Sequence, residues 1–241
     1  MAISETADLS AFREAAPTEE RYRGVIGRYF KEVEEDLVLG MLGEPGEVTL
    51  DLGCGTGRLF GGLTRPGKTL IGTDISHDML ASAQRSRVPA TGLLAGDFYT
   101  LPFADGSLDT VVAVGTFHLT RDIEKVMAEI GRTIRPGGTF LFTCWNETPW
   151  APRRLFQGAQ AAPHRITDIG RSLCDTGFEV EEAMSTFYFP SNLFWAGCKI
   201  LRSERMKSRW VDFVIAFNRY FLARPDWRLR GAHFIVRARK L

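Results

Sequence analysis

The 241-residue chain has 44% hydrophobic and 24% charged residues and a formal net charge of +1, an ordinary globular composition with no global field to recruit nucleic acid. Its four cysteines, Cys54, Cys144, Cys174 and Cys198, lack paired spacing and nearby histidines. That argues against a zinc site or any other metal centre and for reduced thiols in a cytoplasmic protein. No apolar run reaches the roughly 18 residues needed to span a bilayer, and residues 1–20 read as a flexible, charged terminus without the apolar core of a signal peptide. Residues 21–42 place Val25, Tyr29, Val33, Leu37 and Met41 at four-residue spacing, which predicts an N-terminal cap helix. Gly43 and Glu44-Pro45-Gly46 end it. Tyr22, Arg28 and Tyr29 on this helix have two fates, closure over a cofactor or packing onto the sheet.

Residues 48–58 read as a buried strand that ends in Asp51 and runs into Gly53, Gly55 and Gly57, a turn whose bare backbone can lie against a nucleotide-like cofactor. A dinucleotide fingerprint, Gly-x-Gly-x-x-Gly, needs its third glycine at position 58, where the chain has Arg58. The pattern present, acid-x-Gly-x-Gly-x-Gly, resembles motif I of the class I S-adenosylmethionine-dependent methyltransferases. An acid at the strand end suits an ammonium and sulfonium ligand and repels a pyrophosphate.

Downstream, residues 69–73 form a second strand ending in Asp74, with Ser76 as a helix cap before Met79. Asp74 is an acid able to accept both hydroxyls of a ribose. Residues 93–98 are a third short strand reaching Asp97 and Phe98, followed by a Leu101-Pro102-Phe103 turn. Read alone, Asp97 is a turn cap. The resemblance implies contacts to the cofactor at Tyr29, Asp51, Gly53, Cys54, Gly55, Asp74, Gly115 and Thr116, with Ile75 and Met79 against adenine. It also gives Asp97 and the Phe98 amide to the adenine edge.

A fourth strand over 108–114 leads to Gly115-Thr116-Phe117-His118, where an open α/β sheet binds ligands. His118 is the candidate general base, its unperturbed pKa suiting proton removal near neutrality; a structural role at the pocket floor is the other reading. An amphipathic helix over 122–134, an Arg135-Pro136-Gly137-Gly138 turn and a strand over 139–144 complete five strands alternating with helices. Trp145, Asn146 and Trp150 then leave the sheet and, with Tyr22, Phe117 and His118, are the candidate substrate wall. A helix over 167–176 capped by Thr167, a sixth strand near 186–189 and a last, antiparallel edge strand over 233–239 are expected.

The resemblance, carried by residues 20–190, implies a Rossmann-like, doubly wound, mostly parallel seven-stranded sheet with an antiparallel edge strand. It points to the methyltransferase type 11 group, which includes ubiquinone- and menaquinone-methylating enzymes. The chain reads as one domain, 1–241, with a cofactor-binding core over 44–144 and substrate-side elements over 145–241. The implied activity is in-line transfer of a methyl group from S-adenosylmethionine, leaving S-adenosylhomocysteine, to oxygen, carbon or nitrogen of a small molecule, with apolar or aromatic acceptors among the options. The alternative is an S-adenosylmethionine-binding protein without transferase activity. Its interaction surface would be the C-terminal region, where residues 199–241 carry 12 Lys or Arg against 3 Asp or Glu. Trp210, Phe213, Val214, Phe217 and Phe221 share a helical face there. Core packing, a substrate lid and contact with an anionic membrane surface are its three readings.

Overall fold

The computed structural model describes residues 24–85, 88, 90–117, 120, 122–146 and 164–241. Tyr22, His118 and Trp150 lie outside the described residues. Seven strands make one sheet in the order β3-β2-β1-β4-β5-β7-β6. They are β1 (Val48–Leu52), β2 (Thr69–Asp74), β3 (Gly92–Ala95), β4 (Leu108–Ala113), β5 (Ile134–Trp145), β6 (Phe178–Thr186) and β7 (His233–Lys240). The first five are mutually parallel, and β7 pairs antiparallel with both β5 and β6.

Alternation along the strands assigns their side chains to two faces. Leu50, Val111, Phe140, Phe142 and Val236 join one cluster, beneath α5 (Ile123–Thr133) and α6 (Ile166–Asp175). Val112, Leu141 and Ile235, one residue out of phase, join a second with α2 (Asp36–Leu42), α3 (Phe60–Leu63) and Ala83 of α4 (His77–Gln84). The amphipathic helix is confirmed: α5 buries Val126, Met127 and Ile130, and its N-cap Asp122 accepts from the Lys125 amide.

Several local expectations shift. The sixth strand begins at Phe178, so the aromatic run at 187–189 follows it. β7 sits one strand in from the edge, which β6 occupies. Helix α6 takes its N-cap from Arg165 with no side-chain cap bond, in place of Thr167. Residues 135–138 are a bulged entry into β5.

The N-terminal helix is continuous but irregular: α1 (Gly24–Phe30) passes through a π-helical turn, Lys31–Glu35, into α2. The extra residue of a π turn slides the buried stripe by one. Val33 and Glu34 are therefore both buried, and Val38 rather than Leu37 is fully covered afterwards. Helices α7 (Ser191–Ile200) and α8 (Glu204–Leu222) pack on α1 around a third, aromatic cluster containing Tyr29, Phe194, Val211, Val214 and Ile215. The buried face of α8 thus runs through Val211, Val214, Ile215 and Asn218, while Phe213 is 54% exposed. Core packing accounts for only part of the expected stripe.

Candidate active site

Strand β1 brings Asp51 to the carboxyl edge of the sheet at 2% exposure. Its Oδ2 is buried without a hydrogen-bond partner, a costly arrangement for a carboxylate in a folded chain. Burial pushes the Asp51 pKa up to about 7, with the Arg58 charge opposing the shift and the Asp74 charge adding to it.

The glycine turn beyond it is left-handed at Gly53, Gly55 and Gly57, with φ of 70°, 54° and 79°. Two of the three are required by the protein's own packing. A Cβ on Gly53 would lie 2.3 Å from Thr116 Oγ1, and one on Gly57 2.5 Å from the Phe60 ring. A Cβ on Gly55 would meet nothing within 4 Å, so here the backbone is bare toward open space.

Neighbouring strand tips hold this turn. Asp74 Oδ2 accepts the Gly55 N–H at 2.9 Å while Oδ1 accepts that of Ser76 at 2.9 Å; burial nonetheless raises its pKa. Thr116 Oγ1 donates to the Leu52 carbonyl at 3.0 Å, and the Gly115 N–H donates to Thr143 Oγ1 at 2.9 Å. Those two bonds tie the end of β4 to β1 and β5. Ile75 and Met79, half-buried, flank Asp74. Asp97 Oδ1 accepts the Tyr99 N–H at 2.9 Å, which makes the carboxylate a turn cap, and the half-buried Phe98 ring meets Tyr99 edge-on at 4.8 Å.

A methyltransferase-domain family profile matches residues 50–142, the stretch from β1 to β5. An uncharacterised methyltransferase of Synechocystis sp. is 32% identical over 146 residues, covering 56% of this chain and 68% of that protein. The chain belongs to the class I S-adenosylmethionine-dependent methyltransferases. A demethylmenaquinone methyltransferase of Beutenbergia cavernae is 36% identical over 115 residues, 47% of each chain. The chain spans about half the length of several curated relatives it matches. In fold it is similar to a Thermotoga maritima protein described as a possible histamine N-methyltransferase, with a TM-score of 0.65, 19% identity and coverage of 96% and 99% of the two chains.

Two features would fit S-adenosylmethionine: an orphaned buried carboxylate oxygen at Asp51, matched to an ammonium, and the bare backbone at Gly55, where a Cβ would meet only open space. Among the described residues no group of His, Cys, Asp or Glu could hold a metal ion, and no helix is long and apolar enough to cross a membrane.

Four expected contacts are reassigned. Phe117 is 1% exposed and packs against Phe140 and Phe142 at 5.8 and 4.9 Å, so it is core and not pocket wall. It lies beyond the end of β4, with its ring in the first core cluster. Tyr29 stacks on Phe194 at 4.0 Å in the aromatic cluster; burial raises its phenol pKa, and the ring is a packing element. The Cys54 side chain is buried in the second core cluster and its thiol pKa is raised by burial, so only its backbone faces the turn. Asn146 is 7% exposed, and its Nδ2 donates to the Leu229 and Gly231 carbonyls at 3.3 and 2.9 Å. It pins the turn before β7 and does not line a substrate wall. Asn146→Ala is therefore expected to lower the unfolding free energy by about 2 kcal/mol in a urea titration, with buried carbonyls left unpaired, and to leave cofactor affinity unchanged in calorimetry.

Trp145, at the carboxyl end of β5, is half-buried and stacked on His233 at 5.8 Å. With it comes a group of charges that sequence reasoning missed. Glu34, 4% exposed, accepts from Arg58 at 3.1 Å and lies 3.3 Å from His233 Nδ1, and Arg58 also lies 3.8 Å from Glu35. The only sequence signal was Arg58 in place of the dinucleotide glycine.

Proposed function

We propose that this chain transfers a methyl group from S-adenosylmethionine to a small, apolar or aromatic acceptor. The observation that carries the reading is the unpartnered Asp51 Oδ2 at the tip of β1. Bound S-adenosylmethionine supplies an electrophilic methyl carbon on a sulfonium. Asp51 holds the ammonium, the Gly53–Gly55 backbone gives close approach, and Asp74 takes the ribose hydroxyls while bracing the turn through the Gly55 N–H. Ile75, Met79, Asp97 and Phe98 line the adenine side. Catalysis then comes from holding the acceptor nucleophile in line with the methyl carbon in a water-poor site. The aromatic surroundings of Trp145 and a relative that methylates demethylmenaquinone support an aromatic or apolar acceptor. We take residues 1–241 as one catalytic domain, because Glu34 of the π-helical turn, Arg58 after the glycine turn and His233 of β7 contribute to one charge cluster.

Calorimetric titration with S-adenosylmethionine, S-adenosylhomocysteine and a nicotinamide dinucleotide tests this reading. Binding of the first two alone is the expected result; binding of none sinks it. Asp74→Ala is expected to weaken S-adenosylmethionine binding by about 1–3 kcal/mol through lost ribose bonds. Unchanged affinity in the same calorimeter would place the ribose elsewhere.

A further inference from the structure

Two local irregularities converge on His233. The π-helical turn carries Glu34 on its buried side, and its Val33 carbonyl accepts from Thr186 Oγ1. The next residue, Phe187, has φ 58°, the only positive φ at a non-glycine position among the described residues, and such strain in a bulky residue recurs at functional sites. Its ring lies 4.5 Å from that of His233. Opposite stands Trp145, paired with His233 across β5 and β7. Because β7 is antiparallel, its first residue lies at the carboxyl end of β5, the edge that also carries Asp51 and Gly115.

We propose that His233 is the proton acceptor of this methyltransferase, with Glu34 as its positioning residue, and that the methylated group is a phenol-like aromatic hydroxyl. The inference rests on the methyltransferase reading above. Glu34 faces Nδ1, so the Nδ1–H donates to the carboxylate and the Nε2 lone pair is left to take a proton. Burial opposes ionisation of Glu34, but the bond from His233 and the Arg58 charge outweigh it and hold the carboxyl below its ordinary value. Arg58 and Glu35 stand behind Glu34; Trp145, Thr186 and Phe187, from the neighbouring strands and the turn after β6, carry no titrating group near neutrality.

In the step, the acceptor O–H bond breaks toward Nε2 as an oxygen lone pair forms the O–C bond and the C–S bond breaks. Its electron pair stays on sulfur, leaving neutral S-adenosylhomocysteine, and the imidazolium, offset by Glu34, later releases its proton to solvent. The chemistry selects the acceptor class. A carboxylic acid arrives ionised and needs no base, and an aliphatic alcohol is too weak an acid. A phenol, about 3–4 pKa units above an unperturbed imidazole, is within reach of general-base transfer. The Trp145 and Phe187 rings provide faces for a planar ring.

The chromogenic phenol 4-nitrophenol reads the proton transfer without turnover. Bound to the complex of the full chain with S-adenosylhomocysteine, it is expected to show its phenolate band at a pH at least one unit below that of the free probe, a tenfold shift. His233→Gln, with cofactor affinity and circular dichroism unchanged, is expected to bind the probe and lose the shift. Glu34→Gln keeps the bond and removes the charge, and loses part of it. A wild type that binds S-adenosylhomocysteine but leaves the probe unbound or unshifted overturns the assignment, as does a shift lost in His118→Ala and kept in His233→Gln. Failure of S-adenosylhomocysteine to bind instead overturns the methyltransferase reading itself.

Discussion

Asp51→Asn is expected to weaken S-adenosylmethionine binding by roughly 100-fold and, at pH 8, to stabilise the ligand-free protein. Both effects come from one buried oxygen. The Asp51 carboxyl is 2% exposed, its Oδ2 has no partner, and burial lifts its pKa to about 7 from the ordinary 3.8. The folded chain therefore binds a proton that the unfolded chain has released between those two values. Stability from this group is fully present at acid pH and declines as pH rises through about 7. Asparagine does not titrate, so the variant's advantage should grow from pH 5 to pH 8 in urea titrations. For the cofactor the sign reverses, because an ammonium selects the ionised carboxylate. Wild-type affinity should fall as pH drops below about 7, with a proton released on binding that calorimetry in two buffers can count. Loss of a charged hydrogen bond costs about 3 kcal/mol, which is the hundredfold. Equal affinity in Asp51→Asn, or a variant less stable than wild type at pH 8, would mean that the carboxylate has a partner in the ligand-free protein.

The parallel half of the fold was legible because its strands are short apolar runs with an acid or glycine at each tip. Residues 48–58 gave strand, acid and turn together. The antiparallel end was harder. Glu179, Glu181 and Glu182 break the apolar pattern of β6, with Glu181 paired to Arg237 and Glu182 to Arg228, so the aromatic run 187–189 looked more strand-like than the strand. That run is instead the strained bend holding Phe187 against His233. The N-terminal helix misled for a different reason. Four-residue spacing assumes an unbroken α-helix, and the π turn puts Glu34 inside, where sequence reads a solvated acid. Phe117 looked like pocket because it follows a strand at the ligand edge; its neighbours Phe140 and Phe142 show that the core extends that far.

The glycine turn gives the second large effect, divided between two residues that the motif alone makes equivalent. Gly53→Ala must hold φ near 70°, a conformation that costs an L-residue about 1–2 kcal/mol. It also drives a Cβ to 2.3 Å from Thr116 Oγ1, and overpacking of that kind adds about 1–3 kcal/mol. The Thr116 bond to the Leu52 carbonyl, which joins β4 to β1, is the contact displaced. A loss of about 3 kcal/mol in unfolding free energy follows, and Thr116→Ala in the same chain should recover the steric part and leave the dihedral part. Gly55→Ala, at φ 54° with nothing within 4 Å, carries the dihedral strain alone, about 1 kcal/mol. Its methyl group instead enters the space where the cofactor backbone approach is placed. Cofactor affinity should drop more than tenfold with little change in stability. Urea titration and calorimetry on the two variants separate a glycine kept for the protein's own packing from one kept for a ligand. If Gly55→Ala binds S-adenosylmethionine as wild type does, the open face at residue 55 is not the cofactor's.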